Sequence, residues 1–250
     1  MSVAGQQKKT SEGGVLEIVK IVVHAVIIAV VVRTLLFQPF NIPSGSLIPT
    51  LEIGDYVFVS KFSYGYSKYS IPLSPPLFSG RIWSAPPQRG DIAVFKVPTD
   101  NSTDYIKRVI GLPGDRIQMI HGILHINGEP VKRESAGTRT IVGENGVNRD
   151  VPLYYETLPN GVRHEIMEID GDTGYYDDTK EFVVPPDNYF MMGDNRDNSE
   201  DSRAWGPVPF ENFVGKAQII FFSVRPGESA LAFWKWPWTV RADRLFQFVR

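Results

Sequence analysis

A run of apolar residues from 15 to 37 sets the outline of this chain, because a segment of that length must lie either across a bilayer or inside a core. It is interrupted by Glu17, Lys20, His24 and Arg33. The unbroken apolar part, residues 21–32 apart from His24, is short for a span of about 20 residues. A span forms if Lys20 and Arg33 extend to opposite interfaces, with Glu17 near the inner one. A cleavable leader fits poorly, since residues 33–40 lack a small-residue cut site. Lys8 and Lys9 precede the run, which by the positive-inside rule keeps the N-terminus in the cytoplasm and everything after Phe37 outside. Arg33 on the outer side opposes that orientation without reversing it. The segment reads as a single-pass signal-anchor rather than a buried helix of a soluble domain.

Beyond it the pattern changes from helix-like to strand-like. Residues 55–61, 90–97 and 116–120 are rich in β-formers and bounded by Gly, Pro or Asp. Residues 123–131 contain Asn127-Gly128, the pair that favours a type I′ hairpin turn. Residues 133–178 are polar with short apolar alternations, and read as a β-rich insertion lying away from the chemistry. Residues 72–87 form a proline-rich loop. The expected fold is mainly β: a transmembrane helix, then an all-β ectodomain carrying a β-rich insertion. Its divisions are a cytoplasmic tail (1–14), the helix (15–37), a core (38–115 and 187–250) and the insertion (116–186). In the segment 233–238, three tryptophans and a lysine suit either a membrane surface or packing on the β core.

Composition narrows the chemistry. With no cysteine among 250 residues, thiolate nucleophiles, disulfides and cysteine zinc sites are excluded. A net charge of −2 gives no reason to expect nucleic acid. The four histidines, His24, His121, His125 and His164, fall outside the polar motifs below, so neither a histidine base nor a metal site is expected.

Three segments remain to carry chemistry. Ser46 sits in Pro43-Ser44-Gly45-Ser46-Leu47-Ile48-Pro49-Thr50, just past the anchor. Alone, that is ordinary turn composition. Lys107 lies in Tyr105-Ile106-Lys107-Arg108-Val109-Ile110-Gly111, where strand alternation puts Lys107 and Arg108 on opposite faces among apolar neighbours. The string also suits a surface strand. Gly193-Asp194-Asn195-Arg196-Asp197-Asn198-Ser199-Glu200-Asp201-Ser202-Arg203 has the oxygen spacing of a calcium loop. The embedded arginines and incomplete pattern favour a scaffold of ion pairs, among themselves or with Arg108. A serine needs a base, and a lysine serves only if burial lowers its pKa from about 10.4 towards neutrality.

Taken together the segments resemble the bacterial type I signal peptidases, membrane-anchored Ser–Lys proteases. The resemblance runs through residues 43–51 with Ile53-Gly54-Asp55, Arg89-Gly90-Asp91-Ile92-Ala93-Val94-Phe95, Tyr105-Ile106-Lys107-Arg108 with Gly111-Leu112-Pro113-Gly114-Asp115, and the polar segment 193–203. It implies an endopeptidase that removes signal peptides from exported preproteins after small residues, at Ala-X-Ala sites. Ser46 is then the nucleophile and Lys107 the general base. Ser199 orients the Lys107 amine, and the Ser46 N–H and Ser44 hydroxyl form the oxyanion hole. Asp201 pairs with Arg108 and Arg203 as structural support. Phe40, Ile42, Leu51 and Ile106 wall shallow substrate pockets, against which an extended peptide docks as an added strand. No cofactor or metal is implied. The partners are signal peptides and membrane lipid, not nucleic acid, and the chain works as a monomer. Its place is the bacterial cytoplasmic membrane, with the catalytic domain on the outer, periplasmic face. Leu47 stands where relatives carry methionine, a swap that keeps volume and apolarity. Many relatives have two N-terminal spans where this sequence shows one. A self-cleaving Ser–Lys repressor would need a DNA-binding domain where the anchor lies. A catalytically inactive, membrane-tethered binding protein of the same fold would not need Ser44, Ser46, Lys107 and Ser199 together.

Overall fold

The computed structural model describes residues 12–142 and 147–250. Helix α1 (Glu12–Leu35) opens the described chain. Within it the 22 residues Gly14–Leu35 are long and apolar enough to cross a membrane, and none of this stretch is buried in the protein. At a rise of 1.5 Å per residue it reaches about 33 Å, a bilayer core's thickness. Val15, Ile21, Val26 and Ile28 are exposed on a helix that is apolar all round, as lipid requires and water does not. The helix stops two residues short of the expected limit. Pro39 keeps Gln38 out of the helical region, and the chain turns instead into strand β1 (Phe37–Asn41). Lys8 and Lys9, on which the expected orientation rests, lie outside the described residues.

The body is β. After β1 come β2 (Asp55–Ser60), β3 (Ile92–Lys96), β4 (Asp104–Gly111), β5 (Arg116–Ile120), β6 (Ile123–Ile126) and β7 (Glu129–Pro130). There follow β8 (Lys132–Val142), β9 (Asn148–Thr157), β10 (Arg163–Met167), β11 (Phe182–Val183), β12 (Asn188–Met192), β13 (Val208–Pro209), β14 (Phe213–Ser223) and β15 (Gln247–Phe248). The main antiparallel sheet runs β1-β2-β14-β3-β4-β12-β13, with β15 added on β14. Two smaller sheets, β11-β5-β6-β7 and β10-β9-β8, complete the body.

Strand β4 passes three apolar clusters, which explains why it is buried on both faces from Lys107 onwards. Ile106 packs on the cluster of Ile42, Leu47, Leu51, Val57 and Val59. Val109 joins Tyr64, Phe95, Met191 and Phe213, and Ile110 joins Ile117, Leu124 and Phe190. Each fully buried aliphatic or aromatic side chain contributes about 1.5–3 kcal/mol. Lys107 and Arg108 are thus carried inside by the strand that holds them.

The turn expected at Asn127-Gly128 forms between β6 and β7, with φ of 57° and 84° at the two residues. These left-handed values are those of a type I′ turn. The insertion, expected to stand away from the chemistry, does not. Arg139 from β8 pairs with Glu52 at 2.6 Å, and Glu156 from β9 is buried against Arg196 of the polar segment at 2.6 Å. Buried charges need partners, and here the partners come from the polar segment itself.

Candidate active site

Antiparallel register brings the parts together. Lys107 on β4 lies opposite Ala93 of β3, and on the other side Arg108 lies opposite Met192, the last residue of β12. The chain leaving β12 at Gly193 therefore emerges beside the two cations. The loop from β1 to β2 delivers Ser46 to the same place. Within that loop Ile48 N–H donates to Gly45 O at 3.1 Å and Leu51 N–H to Leu47 O at 2.9 Å. Leu47 (1% exposed) and Leu51 (0%) root the turn in the apolar core.

Lys107 Nζ donates to Ser46 Oγ at 2.5 Å, across 61 residues of sequence. Both residues are buried. Burial pushes the Lys107 amine down to about 8, against the upward pull of Asp201 and Asp194. The Tyr105 ring lies beneath the amine, 5.4 Å from ring centre to Nζ. A lysine held near neutrality at hydrogen-bond distance from a serine hydroxyl can take the hydroxyl proton.

The polar segment clamps the serine loop from the far side. Asn195 N–H donates to Ser46 O at 3.1 Å, and Asn195 Nδ2 donates to Gly45 O at 3.1 Å. Gly193 lies so close that a Cβ there would strike the Ser46 carbonyl oxygen and Ser199 Oγ. Arg108 grips Asp194 with two bonds, at 2.8 Å and 2.7 Å. Thr50 Oγ1 donates to the same carboxylate at 2.6 Å. Asp201 accepts from Gly193 N–H at 3.0 Å and from Arg203 Nη2 at 2.8 Å. Burial would raise both carboxyls, but Arg108 beside Asp194 and Arg203 beside Asp201 hold them below the usual carboxylate range.

The expected residues fall out unevenly. Asp201 pairs with Arg203 as anticipated, whereas Arg108 pairs with Asp194 rather than Asp201, because the β4–β12 register sets Arg108 beside the start of the polar segment. Ser44 is exposed beside Ser46, and neither its hydroxyl nor the Ser46 N–H is engaged in a hydrogen bond among the described residues. Ser199 is buried at 6% exposure. Its Oγ lies near enough to Asp201 to favour the carboxylate, yet it meets no partner in hydrogen-bond geometry, so the bond expected to Lys107 is not formed. Phe40, Ile42, Leu51 and Ile106 all belong to one apolar cluster; Ile42 and Leu51 are sealed inside it, and Phe40 and Ile106 are half-buried at its edge. Phe40 also lines a cavity of about 330 Å³ with Tyr69 and Val214, which Ser46 and Lys107 do not reach.

Sequence reasoning missed Thr50, Glu156 and His164. His164 is buried between Glu156 and Asp194, at 3.4 Å and 3.6 Å, and Arg196 forks onto Glu156 at 3.0 Å and 2.6 Å. Glu156 and His164 sit in a polar insertion where nothing local marks a residue as buried. Thr50 carried a signal, because it closes the motif around Ser46.

The sequence matches the family profile for signal peptidase, peptidase S26, over residues 15–222. Signal peptidase I of Rickettsia typhi is 47% identical over 206 residues, which cover 79% of this chain and 76% of that protein. Signal peptidase I of Rickettsia conorii is 43% identical over 237 residues, 88% of each chain. Among solved structures, a signal peptidase I from Enterococcus faecalis V583 is 25% identical, with a TM-score of 0.31, covering 53% of this chain and 97% of its own.

Proposed function

Since the chain belongs to the signal peptidase family, peptidase S26, we propose that it is a membrane-bound endopeptidase that cleaves signal peptides from exported preproteins with a Ser46–Lys107 dyad. The observation that carries this reading is the 2.5 Å contact between Lys107 Nζ and Ser46 Oγ inside the protein. With the amine neutral, the direction of that bond reverses and Ser46 O–H donates to Nζ. Oγ attacks the scissile carbonyl carbon as Nζ takes the proton. The oxyanion accepts from the Ser46 N–H and the Ser44 hydroxyl, two donors with no competing partner among the described residues. Collapse breaks the C–N bond, and the Lys107 ammonium returns its proton to the leaving amine. The neutral amine then activates the water that hydrolyses the Ser46 ester. Ser199, with a buried hydroxyl lacking a partner, orients Lys107 once substrate completes the site, since such bonds tighten on binding.

Small residues are selected because the cluster next to Ser46 offers shallow relief. Ile42 and Leu51 form its floor, Phe40 and Ile106 its rim. A large side chain one or three positions before the cut meets packed aliphatic carbon. The anchor holds this site at the outer face of the bacterial cytoplasmic membrane, where an extended signal-peptide end emerges.

The test is cleavage of a preprotein bearing an Ala-X-Ala site by the detergent-solubilised chain, beside Ser46→Ala and Lys107→Ala. Wild type is expected to cut at that site, with each variant slower by about a thousandfold or more. Turnover near wild-type level by a folded variant removes that residue from the mechanism.

A further inference from the structure

Glu168, Asp177 and Asp197 each bring a carboxylate oxygen to one spot, all within 4.8 Å of one another. Glu168 follows β10, Asp177 lies in the loop before β11, and Asp197 belongs to the polar segment that clamps Ser46. The cluster is set inside the protein, with Glu168 0% and Asp177 1% exposed.

Its charges lack compensation. Both Glu168 oxygens and Asp177 Oδ1 are buried without a hydrogen-bond partner. The other oxygens are held by backbone: Asp197 Oδ2 accepts from Asp170 N–H at 2.7 Å, and Asp177 Oδ2 from Gly174 N–H at 2.6 Å. A Cβ at Gly174 would strike Asp197 Oδ1, so the glycine lets the two aspartates close up. The nearby arginines are committed elsewhere. Arg196 forks onto Glu156, Arg203 onto Asp201 and Arg133 onto Asp172. Among the described residues Arg133 alone reaches ion-pair distance of the cluster, 3.9 Å from Glu168 Oε1. Burying three carboxylates with so little positive charge is costly unless something neutralises them.

We propose that Glu168, Asp177 and Asp197 form a binding site for a hard divalent cation, calcium by the number of carboxylates offered. Calcium takes about six to eight oxygens in flexible geometry, whereas magnesium keeps several waters and binds through one or two carboxylates, so a cluster of carboxylates within 4.8 Å of one another suits calcium. The unpartnered Glu168 and Asp177 oxygens are its ligands, with Asp197 as the third. Bound there, the ion ties the loop carrying Asp177 to the segment carrying Asn195 and Ser199, and so stiffens the clamp on the Ser46 loop. Without it Glu168 takes a proton instead: burial, reinforced by Asp197 and Asp177, pushes its carboxyl up to about 9 against the pull of Arg196.

The experiment uses the full chain in detergent after chelator treatment, with calcium and terbium(III) as probes. Tyr176, next to Asp177 in sequence, serves as the sensitiser for terbium luminescence. Calcium at about a hundredfold excess over its Kd is expected to raise the melting temperature by about 5 °C, and to displace a terbium signal. Glu168→Gln, nearly isosteric, is expected to melt at or above the chelated wild type and to lose both responses. Asp177→Asn is the second variant should Glu168→Gln not fold. A wild type with no calcium shift and no displaceable terbium signal overturns the site, as does a folded variant that responds like wild type.

Discussion

Lys61 and Lys107 are both buried lysines whose charged form is disfavoured, and burial alone does not tell them apart. Lys61 is 0% exposed, and burial pushes it down to about 7 against the pull of Asp104; the one hydrogen bond of its amine among the described residues is to Tyr69 O at 3.4 Å. Lys107 is less depressed, at about 8, but it alone of the two meets Ser46 Oγ. In the proposed dyad the neutral amine is the active form and the pKa is lowered, so activity should rise with pH and level off above about 8. In a kcat/KM profile against pH, Lys61→Met is expected to keep that limb where it is. A limb that moves or vanishes in Lys61→Met would transfer the base to the wrong lysine. Ser46 and Lys107 were legible in the sequence because their motifs surround them. Gly193 was legible as part of a motif, but its reason was not: the space it leaves for the Ser46 carbonyl exists only once two distant segments meet.

Strands β4 and β12 are the elements that build the site. The alternation of β4 correctly sets Lys107 and Arg108 on opposite faces, but it cannot say which face is covered. Both are, because apolar clusters flank the strand on each side. The partner of Arg108 was misread for a related reason. Asp194 and Asp201 both lie in the same polar segment, and only the pairing of Arg108 with Met192 puts Asp194 within reach. The Arg108–Asp194 pair is fully buried, so removing one member strands the other charge. Asp194→Ala is expected to lower unfolding stability by about 3–5 kcal/mol, read from a denaturant titration in detergent. A loss under about 1 kcal/mol would mean that Arg108 finds another carboxylate. The β strands of the insertion were visible in its composition; the inward reach of Glu156 and His164 was not, since it depends on how a separate sheet docks.

On the scale of the whole molecule, the described residues expose apolar surface on helix α1, on the proline-rich loop with Leu73, Leu77 and Trp83, and on the aromatic stretch near residue 236. Trp236 packs on Phe222 with ring centres 5.0 Å apart, while Trp234 and Trp238 are 64% and 69% exposed. Tryptophan rings with a free apolar face settle at the membrane–water interface, so this stretch is expected to make a second contact with the bilayer. In proteoliposomes containing brominated lipid, the tryptophan fluorescence of the full chain should be quenched. Replacing Trp234, Trp236 and Trp238 by alanine should remove most of that quenching, and equal quenching in the variant would place these rings in water. The anchor and the β body could be read from hydropathy and strand composition, whereas the division of this tail between core and surface needed the position of Phe222.

The clamp on Ser46 also sets a clock. Ser46 leaves the ribosome first, Lys107 follows 61 residues later, and Asn195, which holds the Gly45 carbonyl, lies 150 residues beyond that glycine. At roughly 5–20 residues per second, those 150 residues take roughly 8–30 s to synthesise. Throughout that interval the nascent chain carries its own hydrophobic segment next to a serine without its clamp, so under the proposed mechanism its capacity to cut is withheld until most of it has been translated.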